Sequence, residues 1–316
     1  MRARVKRLPA QPKSLITLNA LSSVVCLALS LWVTSAATAK VRPSDISYPT
    51  NNEKLGRGYD VPGAIFDLSL WGGAGGPADT EQTRSVVGLL FEARSPFPSG
   101  ELGFRLGMFN HQFELDGEED RGVYSSNLSL DWRWRGGERG PHDPFIGVGV
   151  ALPTRKLSGE GGLEGESQLD AQRIGLASRF GGFDRWMWEP NSAAAFVEMG
   201  GRSRWGGFFV EGELAISYLY RVADSTEIEP GNLFAQAGAG LGVGGDVWTV
   251  SLGGGYAITP LSLAGDVDQI HGRAQVIYAP QTLNYYVALF APIDAPMGVL
   301  DGSFGWSLTL GMMGQL

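Results

Sequence analysis

The segment FGWSLTLGM, residues 304–312, carries large apolar side chains at every second position, with small or hydroxylated residues between them. Phe304, Trp306, Leu308, Leu310 and Met312 share one face of a strand, and Gly305, Ser307, Thr309 and Gly311 share the other. A soluble antiparallel sheet buries its apolar face and exposes a polar face to water. Here the second face is small and uncharged, which is typical of a barrel whose outside contacts lipid. The segment therefore predicts a transmembrane β-strand.

The amino terminus has the parts of an export signal. Basic residues precede an apolar run over 15–33, and Ala37-Thr38-Ala39 supplies the small-x-small pattern of a cleavage site. We predict a cleaved signal at 1–39; the alternative is a retained membrane anchor, since the run approaches the ~20 residues that a spanning helix needs. Cys26, the single cysteine, lies inside this signal. The mature chain is therefore expected to lack disulfides and cysteine catalysis.

Removal of the signal leaves 20 basic residues against 33 acidic ones, a formal charge of −13. An acidic surface argues against nucleic acid as a partner. The chain is rich in glycine (46) and aromatic residues (9 Trp, 9 Tyr, 15 Phe), as barrel walls and interfacial girdles are. No apolar stretch after residue 39 is long enough for a spanning helix, so membrane insertion would need a closed sheet. A soluble periplasmic β-sandwich is the competing fold, and the lipid-suited faces argue against it.

The rest of the chain divides into a lead-in and one barrel. Residues 40–62 are polar and contain prolines, which predicts a flexible periplasmic lead-in, and 63–316 is expected to form an all-β, transmembrane antiparallel β-barrel. Segment 181–207 is apolar without clean alternation; we predict a short helix on or under the barrel, and a further hairpin, giving fourteen strands, is the alternative. We predict about twelve strands, at 64–71, 85–94, 102–113, 124–134, 145–152, 172–180, 208–221, 232–244, 246–256, 270–278, 283–291 and 303–313.

The connections between these strands alternate in length. With the amino terminus in the periplasm, the periplasmic turns are short, apart from 181–207, and the outer loops are longer, as outer-membrane barrels require. The acidic residues fall into the outer loops: Glu114, Asp116, Glu118, Glu119 and Asp120 in one, Glu160, Glu164, Glu166 and Asp170 in the next, and Asp224, Glu227 and Glu229 in a third.

The export signal, the alternating strand at 304–312 and the alternation of short and long connections make this chain resemble bacterial outer-membrane β-barrel proteins. The likeness covers roughly 64–316 and is one of architecture, with no motif of a particular subfamily. One departure is the carboxyl terminus, Gly314-Gln315-Leu316, where such chains usually end on an aromatic residue. The resemblance implies the outer membrane of a Gram-negative bacterium as the location. Its implied partners are outer-membrane lipid, lipopolysaccharide and the barrel assembly machinery.

Placing the bulky faces toward lipid sends charged side chains inward, because a charge on the lipid face near the midplane costs about 2–4 kcal/mol. Such groups could line a wet channel and set solute preference, or pair into a buried ladder that closes the lumen. Twelve strands enclose more space than the side chains of an eight-stranded barrel fill. We predict a passive channel for small polar solutes; a closed structural or surface-interaction barrel is the first alternative. The predicted lumen-lining residues are Glu92, Arg94, Arg105, Asp131, Arg133, Arg173, Arg179, Glu211, Glu213, Arg221 and Arg273.

An outer-membrane lipid hydrolase is the second alternative. Of the three histidines, His111 lies near Ser125 and Ser126 on the next strand, His142 lies in an exposed turn and His271 lies within a strand. A serine–histidine pair can serve nucleophilic catalysis, but no spacing signature supports one, so we predict a protein that is not an enzyme.

Neither a metal nor a cofactor is predicted. No His/Cys cluster has the spacing of a transition-metal site, and the outer acidic loops could at most bridge divalent cations to lipopolysaccharide. The glycine-rich stretches 238–242 and 253–255 lie inside strands rather than before a helix, so they indicate tight curvature or a crowded inner wall instead of a phosphate-binding loop.

Overall fold

The computed structural model describes residues 64–76, 83–97, 99–115, 118–135, 142–154, 184–188, 192–222, 231–245, 247–258, 269–280, 283–293 and 304–315. Nearly all of them are strand. The elements are β1 Ile65–Gly76, β2 Thr83–Phe97, β3 Gly100–Leu115, β4 Glu118–Ser125, β5 Leu128–Arg135, β6 His142–Leu152, α1 Arg185–Trp188, β7 Ser192–Trp205, β8 Phe208–Arg221, β9 Gly231–Gly244, β10 Trp248–Ile258, β11 Gln269–Tyr278, β12 Leu283–Pro292 and β13 Phe304–Gln315.

The strands form one closed antiparallel barrel. Each strand pairs with its neighbours in sequence, and β1 pairs with β13, so that Leu70 lies opposite Leu310. β3 pairs with β4 through its carboxyl-terminal half and with β5 through its amino-terminal half. β4 and β5 therefore share one place in the wall, interrupted at Ser126 and Asn127, and the barrel has twelve strands, the number that was predicted.

The two faces of the wall differ as the sequence predicted. Trp306, Leu308 and Leu310 point outward and are 37–48% exposed, whereas Ser307 and Thr309 point inward and are at most 2% exposed. Large apolar side chains cover the outside of the other strands in the same way, with Val287 and Leu252 as examples. This arrangement confirms a transmembrane barrel, because hydrocarbon can cover an apolar exterior of this size.

Exposed aromatic side chains mark the two ends of the apolar band. Trp134, Trp205 and Trp248 lie at the end with the short turns, and Tyr220 and Tyr256 lie at the opposite end. Trp205 pairs with Phe208, and twelve residues of β8 separate Phe208 from Tyr220, about 40 Å along a strand at ~3.3 Å per residue. A strand tilt of about 40° reduces this to roughly 30 Å, enough to contain the apolar band of about 25 Å between the aromatic girdles of outer-membrane barrels. No helix among the described residues is long and apolar enough to cross a membrane.

Segment 181–207 differs from the prediction. Most of it is β7, Ser192–Trp205, which pairs with β6 on one side and β8 on the other; among its described residues, Arg185–Trp188 is helical. Its alternation was missed because the inward face carries Phe196 and Glu198, so that both faces contain large groups. The predicted short helix is present as α1, but the strand β7 was not predicted, and the barrel has twelve strands rather than the fourteen of the alternative. The predicted strand at 172–180 lies outside the described residues.

Candidate functional site in the barrel lumen

Buried ion pairs connect strands across the inner wall. Arg94 of β2 donates two hydrogen bonds to Asp131 of β5, at 2.7 and 3.1 Å, and Arg133 of β5 donates from Nε and Nη2 to Oε1 of Glu198 on β7, at 3.0 and 2.6 Å. Each of these four side chains is at most 2% exposed. Charges removed from water in this way need partners of opposite sign, and here each guanidinium has one carboxylate.

A glycine on the intervening strand makes room for each of these pairs. Gly103 lies between Arg94 and Asp131 in the register, and Gly147 lies between Arg133 and Glu198. A Cβ atom at Gly103 would lie 2.7 Å from Cγ of Asp131, and one at Gly147 would lie 2.8 Å from Oε1 of Glu198. The carboxylates thus lie over the backbone of these glycines. The residue that lies between the two charged residues in the register must therefore lack a side chain.

Substitution of Gly103 tests this arrangement. We expect Gly103→Ala to reduce the free energy of unfolding by about 1–3 kcal/mol, because the added methyl group displaces the carboxylate of Asp131. Urea titration of folding into lipid vesicles, followed by tryptophan fluorescence, measures the change. Gly212→Ala is the matched control, since Gly212 faces outward and the nearest atom to its Cβ would be 3.8 Å away. Equal effects of the two substitutions would contradict the packing argument.

Residues 184–188, which we call the lumen segment, reach opposite parts of the inner wall. Oδ2 of Asp184 accepts a hydrogen bond from Nη1 of Arg105 on β3 at 2.9 Å, and the backbone N–H of Asp184 donates to Oε1 of Gln236 on β9 at 2.8 Å. β3 and β9 lie nearly opposite each other in the closed sheet. Asp184 itself has φ of 54°, a left-handed conformation that Asp tolerates better than most residues.

The interruption between β4 and β5 provides a second attachment for the lumen segment. The backbone N–H of Asn127 donates to the carbonyl oxygen of Met187 at 2.6 Å, and Nδ2 of Asn127 donates to the carbonyl oxygen of Trp186 at 2.8 Å. Ser126 fixes the interruption, because its Oγ accepts the backbone N–H of Gly107 at 2.7 Å. Because strand pairing is interrupted here, the backbone N–H and the side-chain amide of Asn127 bind the lumen segment instead of a neighbouring strand.

Aromatic contacts fill the space around the lumen segment. Trp186 stacks on Phe196 of β7 with ring centroids 4.6 Å apart, and Trp188 meets Trp71 of β1 and Phe109 of β3 edge-on at 5.9 and 5.6 Å. Trp186 and Met187 are fully buried. Together with the Arg105 and Gln236 contacts, these rings narrow the lumen at the level of α1.

The predicted lumen residues have the following positions. Glu92, Arg94, Arg105, Asp131, Arg133, Glu211 and Arg273 are buried on the inner face. Glu92 lies opposite Arg105 in the register, and Glu213 is half-buried. Arg221 ends β8, but its side chain is outside the described part of the chain, as are Arg173 and Arg179 altogether.

The sequence reasoning missed other charged residues of this interior. Glu198 and Arg202 lie on the unpredicted β7, where their alternation with outward Val197 and Met199 was the available signal. Asp184 lies in a long connection without periodicity, and nothing in the sequence indicated its position. Asp67, which accepts hydrogen bonds from the hydroxyl of Tyr286 at 3.0–3.1 Å, alternates with Ser69 and Trp71 in a predicted strand but was not singled out.

The three histidines lie on three different strands, β3, β6 and β11. His142 is exposed, as predicted, with Nδ1 2.8 Å from Oγ of Ser203, and His271 is buried on β11. Oγ of Ser125 lies 3.0 Å from Oγ1 of Thr154. The side chain of His111 lies outside the described residues. Within the described ranges, no group of three or more His, Cys, Asp or Glu side chains could hold a metal ion.

Known proteins resemble this chain in structure rather than in sequence. No protein-family model matches the sequence, and no curated protein matches it. The structure is similar to an outer membrane channel from Pseudomonas putida F1, with a TM-score of 0.55 and 10% identity over 81% of this chain and 96% of that one. The translocator domain of the autotransporter NalP from Neisseria meningitidis aligns with a TM-score of 0.45 and 10% identity over 96% of this chain and 97% of that domain. The likeness to the Pseudomonas channel confirms the architecture: this chain has the fold of a bacterial outer-membrane β-barrel.

Proposed function

We propose that this protein is an outer-membrane channel for the passive passage of small polar solutes, and that the lumen segment restricts its bore. The observation that carries the proposal is a charged inner wall crossed by a segment that is held through side chains and single backbone hydrogen bonds rather than by sheet pairing. Such a segment can leave its position without opening the barrel, because the closed ladder of strands does not depend on it. The protein is proposed to have no catalytic role.

The proposed location is the outer membrane of a Gram-negative bacterium, reached after cleavage of the signal at 1–39. The separation of roughly 30 Å between the two aromatic levels supports contact with outer-membrane lipid and lipopolysaccharide. Insertion would use the barrel assembly machinery, since a closed sheet that satisfies its backbone hydrogen bonds internally is the β-structure that a bilayer tolerates.

A closed barrel with a structural or surface-interaction role is the second candidate. Burial of the inner wall favours it: Ser69, Ser307 and Thr309 point inward and are each at most 2% exposed, whereas the wall of a wide wet channel contacts water. The two candidates differ in whether the lumen segment can move. Conductance therefore separates them.

Recording in planar bilayers tests the proposal. We expect small, discrete current steps from the wild-type protein and severalfold larger steps from a Trp186→Ala/Trp188→Ala variant, because the two rings that narrow the lumen are removed while its ion pairs remain. Trp248→Ala is the control of the same residue type, since Trp248 is 55% exposed on the outside of the barrel and should leave the step size unchanged.

Three outcomes are informative. Larger steps from the double variant, together with steps of wild-type size from Trp248→Ala, support a channel whose bore is restricted by the lumen segment. Absence of current from both the wild type and the double variant, with folding verified by heat-modifiable gel mobility, assigns the closed barrel instead. Equal steps from the wild type and the double variant would retain a channel but reject the lumen segment as its constriction.

A further inference from the structure

Adjacent inward positions on β10 and β11 carry polar side chains most of whose polar atoms lack hydrogen bonds among the described residues. Ser251 lies directly opposite Gln275, and Gly253 lies directly opposite Arg273 two residues along the same pair of strands. Ser251 and Gln275 are 2% exposed and Arg273 is 8% exposed. We call Ser251, Arg273 and Gln275 the β10–β11 patch.

Most polar atoms of the β10–β11 patch have no partner among the described residues. Nε and Nη1 of Arg273, both Nε2 and Oε1 of Gln275, and Oγ of Ser251 are inaccessible to water and make no hydrogen bond there. A buried donor that is left unpaired loses the hydrogen bonds that water gave it in the unfolded chain. The patch thus presents several donors, from a guanidinium, an amide and a hydroxyl, toward one region of the lumen.

The charge balance at the β10–β11 patch is also unlike that of the other ion pairs. Arg202 and Arg273 share Glu211, which accepts from Nη2 of Arg202 at 2.5 Å and from Nη2 of Arg273 at only 3.4 Å. Arg94, Arg105 and Arg133 each have a carboxylate within 2.6–2.9 Å. The three side chains Arg202, Glu211 and Arg273 therefore carry a net positive charge.

One further inward acidic side chain and a histidine lie near this group. Glu213 is the next inward acidic residue on β8, and its Oε1 would lie 3.1 Å from a Cβ atom at Gly238, so its carboxylate lies over β9. In the register, Gly238 leads to Gly255 and then to His271, one inward position away from Arg273. The ring of His271 packs against Phe290 at 4.7 Å.

We propose that the β10–β11 patch binds a small oxyanion, the carboxylate of a small organic acid, through Arg273, Gln275 and Ser251. Charge-assisted hydrogen bonds from a guanidinium to a carboxylate are among the strongest in proteins, and the amide and hydroxyl complete the recognition of its oxygens. Binding itself does not require conduction. Only its consequence, a preference for anionic solutes, rests on the proposed channel function.

Thermal unfolding of the full-length protein in detergent tests the site with acetate as the probe. Acetate is titrated at constant pH and ionic strength against the salt of a bulky sulfonate, and heat-modifiable gel mobility gives the midpoint. We expect the wild-type midpoint to rise saturably by roughly 2–4 °C, because a ligand that binds only the folded state stabilises it. The same titration with phosphate distinguishes carboxylate selectivity from general oxyanion binding: an equal rise with phosphate would overturn the assignment to carboxylates.

Three variants make the result specific. Gln275→Leu should lose the acetate response and yet unfold at or above the wild-type midpoint without acetate, because it removes an unpaired buried amide. Val250→Ala, a change on the outward face of the same strand, should keep the response. Arg273→Met should also lose the acetate response. If Arg273→Met does not fold, the result for Gln275→Leu decides whether the site exists.

The contradicting outcomes are distinct from those of the channel proposal. A wild-type midpoint that is independent of acetate overturns the site. An acetate response that survives in Gln275→Leu places the binding elsewhere. A specific response without any bilayer current would retain the site and reject the channel, whereas current without an acetate response would do the reverse.

Discussion

Asp131→Ala should destabilise the barrel by about 3–5 kcal/mol, or roughly 100- to 5,000-fold in the folding equilibrium, a larger loss than that expected of Gly103→Ala. The reason is the guanidinium left behind. Arg94 is 2% exposed and gives two hydrogen bonds to Asp131, so removal of the carboxylate leaves a buried, unneutralised charge. Urea titration of folding into vesicles measures the loss.

The matched control for Asp131→Ala is the double variant Arg94→Leu/Asp131→Leu. Replacing a buried ion pair as a unit by apolar groups is often neutral or stabilising, so the double variant should recover most of the lost stability. A loss below about 1 kcal/mol in Asp131→Ala would mean that water reaches Arg94 and that the lumen is wet at this level. A double variant as unstable as the single one would show that the pair is needed for its geometry.

Val287→Arg should cost about 2–4 kcal/mol, because it places a charge on the lipid-facing surface near the middle of β12. Val287 lies opposite Leu310 of β13 and is 46% exposed, within a surface that otherwise carries apolar groups. The same vesicle-folding measurement applies, since transfer of the arginine into hydrocarbon is part of the folding equilibrium.

A substitution of the same kind near the membrane surface shows whether the loss comes from placing the charge in hydrocarbon. Val222→Arg is the control, because Val222 is 51% exposed but lies just beyond the end of β8, where a charge on a lipid-facing position should cost about 0–1 kcal/mol. Two equal and small losses would mean that the outward face contacts water rather than hydrocarbon. That result would remove the membrane assignment, while leaving the closed sheet intact.

The lumen combines two kinds of interior. Between β2 and β8, arginines and carboxylates are matched, and glycines such as Gly103 and Gly147 let the pairs lie across the wall. Between β10 and β13, the inner wall carries mostly uncharged polar groups, including Ser251, Gln275 and Thr309. The first side holds paired charges across neighbouring strands, and the second side contains the residues of the proposed carboxylate site.

Several features followed from the sequence because they depend only on local periodicity. The alternation in 304–312 predicted the lipid face of β13, and similar segments predicted the other strands of the barrel apart from β7. Inward placement of Arg94, Asp131 and Arg133 required nothing beyond the cost of a charge in lipid. These are properties of a single strand and its two faces, so no knowledge of neighbouring strands was needed.

Tertiary structure decided which charges meet and what crosses the lumen. Arg94 pairs with Asp131 because closure and register place Gly103 between them, and a strand's own sequence does not contain its neighbour's register. Glu198 made β7 look irregular, although its partner Arg133 lies two strands away. Asp184 is held by Arg105 and Gln236 from nearly opposite walls. The sequence therefore determined the faces of the wall, whereas the contents of the lumen depend on contacts between residues that are distant along the chain and are brought together only by closure of the barrel.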